Sequence, residues 1–143
     1  MKKFLLIIFI FITGIASAQT YSNSWIDYNK TYYKFKVATN GLYHITQSTL
    51  NSLGLGNVPA EQFQLWRNGK EVALYTSASS GPLPSGGFIE FWGMMNDGKI
   101  DTKLYRVPDY QLTDHTSLQT DTAAYFLTVN PAGNNLRYTD APN

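Results

Sequence analysis

Few residues in this chain have types and spacings that could do chemistry. There are two histidines, His44 and His115, and no cysteine. The absence of cysteine excludes a thiol nucleophile within the chain. An imidazole held between a carboxylate and a Ser or Thr hydroxyl would suit acyl transfer. His44, however, alternates with Leu42 and Thr46 on one face of a strand pattern, and His115 sits in a polar run beside Asp114 and Thr116. A surface or sheet-edge position is the preferred reading of His44, and a solvated loop that of His115. Neither is assigned a catalytic role. Two histidines without cysteine also give no zinc-ligand spacing.

The run Asn96-Asp97-Gly98-Lys99-Ile100-Asp101 invites a calcium reading. Placing Gly98 at position 6 of an EF-hand loop puts Asp97 at position 5 and Asp101 at position 9. The same register puts Gly93, Met95 and Leu104 where positions 1, 3 and 12 need oxygen ligands, so the loop is not an EF-hand. A different calcium geometry, using Asn96, Asp97, Asp101 and backbone carbonyls, stays open. The preferred reading is conformational: Asn96 and Asp97 set an Asx-type turn and Gly98 takes a positive φ. No cofactor is assigned.

Other chemistries find less support. Paired carboxylates for glycoside hydrolysis must lie about 5–10 Å apart, and the only glutamates in the chain are Glu61, Glu71 and Glu90. Glu90 points away from its apolar neighbours Ile89 and Phe91, hence outward. The Gly81–Gly87 stretch lacks the Gly-Lys-Ser/Thr ending of a phosphate loop. Trp66, Trp92 and Tyr75 on outward strand faces could stack on sugar rings or pack against another domain or sheet; both readings stay open, and no binding residue is assigned.

The elements that must position these residues read as short strands. Thr31–Val37 alternates, with Tyr33, Phe35 and Val37 on one face and Tyr32, Lys34 and Lys36 on the other. Asn40-Gly41 predicts a hairpin turn into Leu42–Ile45. Thr46 reads as the N-cap of a short helix, at most about 8 residues long, stopped by Gly54. Gln62–Arg67 and Glu71–Thr76 form a second expected hairpin around Asn68-Gly69. Ser77–Gly87 is a Ser/Gly/Pro-rich loop. Phe88–Trp92, Lys103–Val107, a central Ala123–Val129 and a strand beginning at Leu136 follow, with Pro108–Thr120 irregular. Seven or so strands with one small helix indicate an all-β antiparallel sandwich.

Residues 1–18 read as a secretory signal peptide. Lys2 and Lys3 form the positive start, Phe4–Ile12 the apolar run, and Ala16-Ser17-Ala18 the cleavage signal. The run is too short for a membrane span, so no transmembrane segment is expected after cleavage. The expected β-sandwich domain, residues 19–143, has 125 residues (143 less 18), enough for one core. Losing Lys2 and Lys3 moves the formal charge from +1 to −1. That near-neutral balance argues against nucleic-acid partners and against anionic lipid surfaces. The aromatic share of 15 % suits strands with one wet face. Without disulfides, an exported domain must be held by core packing.

Several segments together resemble a known group. They are Asn40–Thr46; Gln64-Leu65-Trp66-Arg67-Asn68-Gly69-Lys70-Glu71-Val72; Phe88-Ile89-Glu90-Phe91-Trp92-Gly93 with Asn96-Asp97-Gly98-Lys99; and Leu104-Tyr105 with Thr120–Leu127. In order and spacing they are similar to the N-terminal region of Bacteroidetes peptidase family C25 proteins. That family includes the gingipain-like cysteine peptidases and the related signal peptidase of the type IX secretion system. The resemblance implies an exported protein of the periplasm, outer-membrane surface or medium. It also implies a sandwich like that of a gingipain propeptide, and a downstream His/Cys peptidase domain as the partner in a longer parent protein. The family's catalytic pair has no counterpart here. The expected role is therefore non-catalytic: packing against, shielding or assisting that domain, with a glycan- or surface-binding module as the alternative.

Overall fold

The computed structural model describes residues 23–139. The expected signal peptide and its cleavage site lie outside the described residues. Seven strands form two antiparallel sheets. The strands are β1 (Tyr33–Val37), β2 (Gly41–Thr46), β3 (Phe63–Arg67), β4 (Lys70–Val72), β5 (Tyr75–Thr76), β6 (Phe88–Gly93) and β7 (Ala123–Val129). One sheet runs β1-β7-β3-β4 and the other β2-β6-β5. This is the all-β sandwich that the alternation predicts, and Ala123–Val129 is central, paired with both β1 and β3.

The two sheets meet through aromatic side chains from their inner faces. Phe35 and Tyr125 come from the four-stranded sheet, and Tyr43 and Phe91 from the three-stranded one. Phe91 lies 5.4 Å from Tyr125, 5.6 Å from Tyr43 and 5.8 Å from Phe35 between ring centroids. Val37, Phe63, Leu65, Ile89 and Leu127 complete the buried layer. Burying side chains of this size contributes roughly 1.5–3 kcal/mol each, which lets packing hold the fold without disulfides.

The helix, α1 (Gln47–Ser52), is the single α-helix among the described residues. It starts where expected: the Thr46 hydroxyl accepts the Thr49 amide at 3.3 Å, and Gly54 takes φ +76° beyond its end. Leu50 is its buried contact.

Four expectations are corrected. The Asn40-Gly41 hairpin does not form: β1 pairs with β7 and β2 with β6, so the turn carries the chain from one sheet to the other. A two-residue type I′ turn needs positive φ at both central residues. Asn68 (φ 49°) and Gly69 (φ 73°) meet that requirement and join β3 to β4, whereas neither Asn40 nor Gly41 does. The expected strand Glu71–Thr76 splits, β4 staying in the larger sheet and β5 joining the smaller. Fully buried Leu74 marks the crossing. Lys103–Val107 is not a strand; Lys99–Leu104 forms a 3-10 turn entered through Gly98 in the left-handed region. From Leu136 the chain makes an isolated parallel bridge, Leu74 to Arg137, in place of a strand.

The outer faces of the two sheets differ. Trp25, from the lead-in, covers the larger sheet, with its ring 5.4 Å from Phe126, 5.6 Å from Trp66 and 5.7 Å from Tyr32. On the smaller sheet Leu42, Tyr75 and Trp92 are exposed.

Candidate functional site

The β2–β6 register places His44 directly opposite Glu90 on the outer face of the smaller sheet. His44 Nε2 pairs with Glu90 Oε2, and the imidazole stacks on Phe88 with centroids 4.6 Å apart. Both ring contacts are thus taken by a carboxylate and an apolar ring, an arrangement that orients a histidine on a sheet surface. Glu90 faces outward as expected. His115 lies in the loop, 3.5 Å from Asp114 Oδ1, with its side chain open to solvent. The structure does not bring the two histidines into one constellation.

The other two glutamates hold backbone. Glu61 accepts the Gly81 amide at 2.9 Å. Glu71 accepts from Gln64 at 3.0 Å and from the Leu136 amide at 2.7 Å.

The Asn96–Asp101 loop is built as an Asx turn. Asn96 Oδ1 accepts the Gly98 amide at 3.3 Å and Asp97 Oδ1 the Lys99 amide at 3.2 Å. Gly98 takes φ +76°, and a Cβ there would come within 2.4 Å of the Thr116 carbonyl oxygen. Asp101 is buried and accepts the Ser117 hydroxyl at 2.5 Å. Gln111 closes the loop from the far side, donating to the Gly98 and Thr113 carbonyls at 2.8 and 2.9 Å. One side-chain oxygen each of Asn96, Asp97 and Asp101 is thus engaged by a donor of the protein itself. Among the described residues, no three His, Asp or Glu side chains gather as a metal-ligand group.

A cavity of about 400 Å3 lies beside this loop, lined by Arg67, Lys70, Trp92, Met94, Asp97 and Lys99 among others. It opens where β5 ends. Tyr75 and Thr76 pair only with Glu90 and Ile89, so the end of β6 has no β5 neighbour beside Trp92. The β3–β4 hairpin forms the opposite wall. Arg67 ties the two walls together, its Nη2 donating to the Met95 carbonyl at 2.8 Å. Sequence reading did not single out Arg67, Lys70 or Lys99. A signal existed: a two-residue turn at Asn68-Gly69 forces Arg67 and Lys70 to face each other.

Of the three aromatics read as outward platforms, Trp92 and Tyr75 stand exposed, while Trp66 is half-buried under Trp25. No described helix is long and apolar enough to cross a membrane. Compared with known proteins, the chain matches no family model, no curated protein and no solved structure.

Proposed function

We propose that this chain is the non-catalytic β-sandwich of an exported gingipain-like cysteine peptidase or type IX secretion protein, where it packs against or assists a downstream peptidase domain. The observation that carries this reading is the connection between β6 and β7. Met94, Ile100, Leu104, Tyr110, Leu112 and Leu118 all stand in solvent there, Leu112 at 98 % and Leu118 at 77 % exposure. Exposed apolar side chains gathered on one connection support an interaction surface there. The engagement of His44 by Glu90 and Phe88 supports a structural part for that histidine.

Two measurements test the reading. The polypeptide encoded beyond Asn143 is expected to contain a His/Cys peptidase domain that, produced as a separate chain, co-elutes with this one. Replacing Leu104, Leu112 and Leu118 by Ser is expected to weaken that association at least about tenfold with the melting temperature unchanged. Wild-type association in the triple variant would overturn the surface. Peptide hydrolysis by the purified chain, lost in His44→Ala or His115→Ala, would overturn the non-catalytic role.

A second reading, a glycan-binding module, is favoured by the uncovered outer face of the smaller sheet, where Trp92 and Tyr75 are about half exposed.

A further inference from the structure

We infer that the cavity between the β3–β4 hairpin and the end of β6 binds an acidic saccharide, a pyranose ring bearing a carboxylate. Trp92 forms the stacking wall, and Arg67, Lys70 and Lys99 are the anion-binding groups. This rests on the glycan-binding reading of the chain and names its ligand class and its site.

Charge is concentrated there. Arg67, Lys70 and Lys99 face one acid, Asp97, giving a local balance of +2 (three cations less one anion). The 3.8 Å Lys99–Asp97 contact is the one ion pair among these groups. Arg67 and Lys70 are directly opposite across the hairpin. Like charges at that position destabilise a β-ladder, and a bound anion relieves the repulsion. Lys70 has no ion-pair partner among the described residues. Arg67 is held in place by Met95 and by packing 5.9 Å over the Tyr125 ring, and its buried Nε has no hydrogen-bond partner. With Nη2 on Met95 and Nε buried, the fixed guanidinium keeps Nη1 to donate to a carboxylate.

Size and surface chemistry select a sugar. About 400 Å3 falls within the range of small-molecule sites, about 300–1,000 Å3. The 52 % exposed Trp92 offers a large flat apolar surface beside the cations. Asn68 adds a polar group suited to hydroxyls. An extended acidic peptide is disfavoured by the backbone. Adding a strand beside β6 needs free main-chain groups, yet the Trp92 amide already donates to Tyr138 Oη at 3.2 Å. The Met94 amide and carbonyl are both bound by Tyr125 Oη.

The test is calorimetric titration of the chain with digalacturonate, its neutral digalactose counterpart, hexaglutamate and inorganic phosphate. Digalacturonate is expected to bind, to bind at least about tenfold tighter than the other three, and to weaken as salt rises. Trp92→Ala, and separately Lys70→Met and Lys99→Met, are expected to weaken it about tenfold with unchanged melting temperatures; all three side chains are solvent-exposed. Equal binding of the neutral disaccharide would overturn the acidic site and leave the glycan reading standing. Binding of neither sugar would overturn both. Hexaglutamate or phosphate binding as tightly as digalacturonate would show a peptide or bare-anion site and overturn the proposal. So would unchanged digalacturonate binding in the three variants.

Discussion

The phenolic oxygen of Tyr125 accepts the Met94 amide at 2.8 Å and donates to the Met94 carbonyl at 3.2 Å. Tyr125 belongs to the central strand of the larger sheet and Met94 follows the last residue of β6 in the smaller one. One buried side chain therefore pins the end of one sheet to the middle of the other. It also satisfies both polar groups of a residue at which the ladder has ended. The same contact fixes one wall of the Arg67–Trp92 cavity.

Tyr125→Phe is expected to cost about 1–3 kcal/mol, because it leaves the Met94 amide without its acceptor. Chemical denaturation at neutral pH measures it. The tyrosine also predicts an alkaline loss of stability. Burial raises its pKa above the ordinary value, outweighing the Met94 bond and the nearby Arg67, which lower it. A raised folded-state pKa means the unfolded chain releases its proton first. This contribution is therefore complete below about pH 10 and is lost as pH rises through the folded pKa. Wild type is expected to lose more stability than Tyr125→Phe between about pH 9 and pH 11. Equal losses would show that Tyr125 does not drive the transition.

Gly98 tests what the Asn96–Asp101 loop is for. Gly98→Val combines a β-branched residue at φ +76° with a Cβ 2.4 Å from the Thr116 carbonyl oxygen. The strain alone costs about 1–3 kcal/mol, and the collision with backbone adds to it. With one oxygen each of Asn96, Asp97 and Asp101 already held by Gly98, Lys99 and Ser117, millimolar calcium is expected to leave the melting temperature unchanged. A ligand that binds only the folded state raises it. A rise of several degrees, abolished by Asp97→Ala with Asp101→Ala, would establish a metal site instead.

The expected signal peptide supplies a third prediction. With Ala16-Ser17-Ala18 after an apolar run, cleavage is expected before Gln19. Intact-mass analysis of exported protein is expected to show a chain starting at Gln19, as glutamine or its cyclised form. A mature species that keeps Lys2 and Lys3 would refute export by cleavage.

Two copies of one dipeptide show how far the sequence is legible. Asn40-Gly41 and Asn68-Gly69 carry the same turn chemistry, yet only the second closes a hairpin. Asn40 Oδ1 instead accepts the Met95 amide at 2.8 Å, a contact 55 residues away that no local pattern encodes. The same limit applies to Glu71–Thr76, where alternation identifies extended chain and burial of Leu74 redirects it to the other sheet. The Thr46 cap, the Gly98 turn and the central Ala123–Val129 strand were legible because each depends on neighbours in sequence. The Arg67–Lys70–Lys99 cavity was not, since its walls come from different sheets.

Arg137 lies beyond the last strand, yet its guanidinium gathers four backbone carbonyls. Its Nη2 reaches the carbonyls of Ala60, Glu61 and Phe63 at 3.1, 2.9 and 2.8 Å, and its Nη1 reaches that of Leu136 at 3.0 Å. Burial lowers its pKa, opposed by Glu71 and Glu61; an arginine stays charged at every pH where the domain folds. The three carbonyls bound by Nη2 belong to the 3-10 turn at Ala60–Gln62 and the start of β3, so the guanidinium staples the segment around Arg137 to the larger sheet. Arg137→Ala is expected to cost on the order of 2–3 kcal/mol, the scale of hydrogen bonds to a charged group together with newly unsatisfied carbonyls. Arg137→Lys keeps the charge but replaces a planar fork with a single ammonium, which cannot reproduce the fork's fixed donor geometry. It is expected to recover less than half of the loss in urea denaturation. Full recovery by lysine would mean that charge, and not donor geometry, holds the segment.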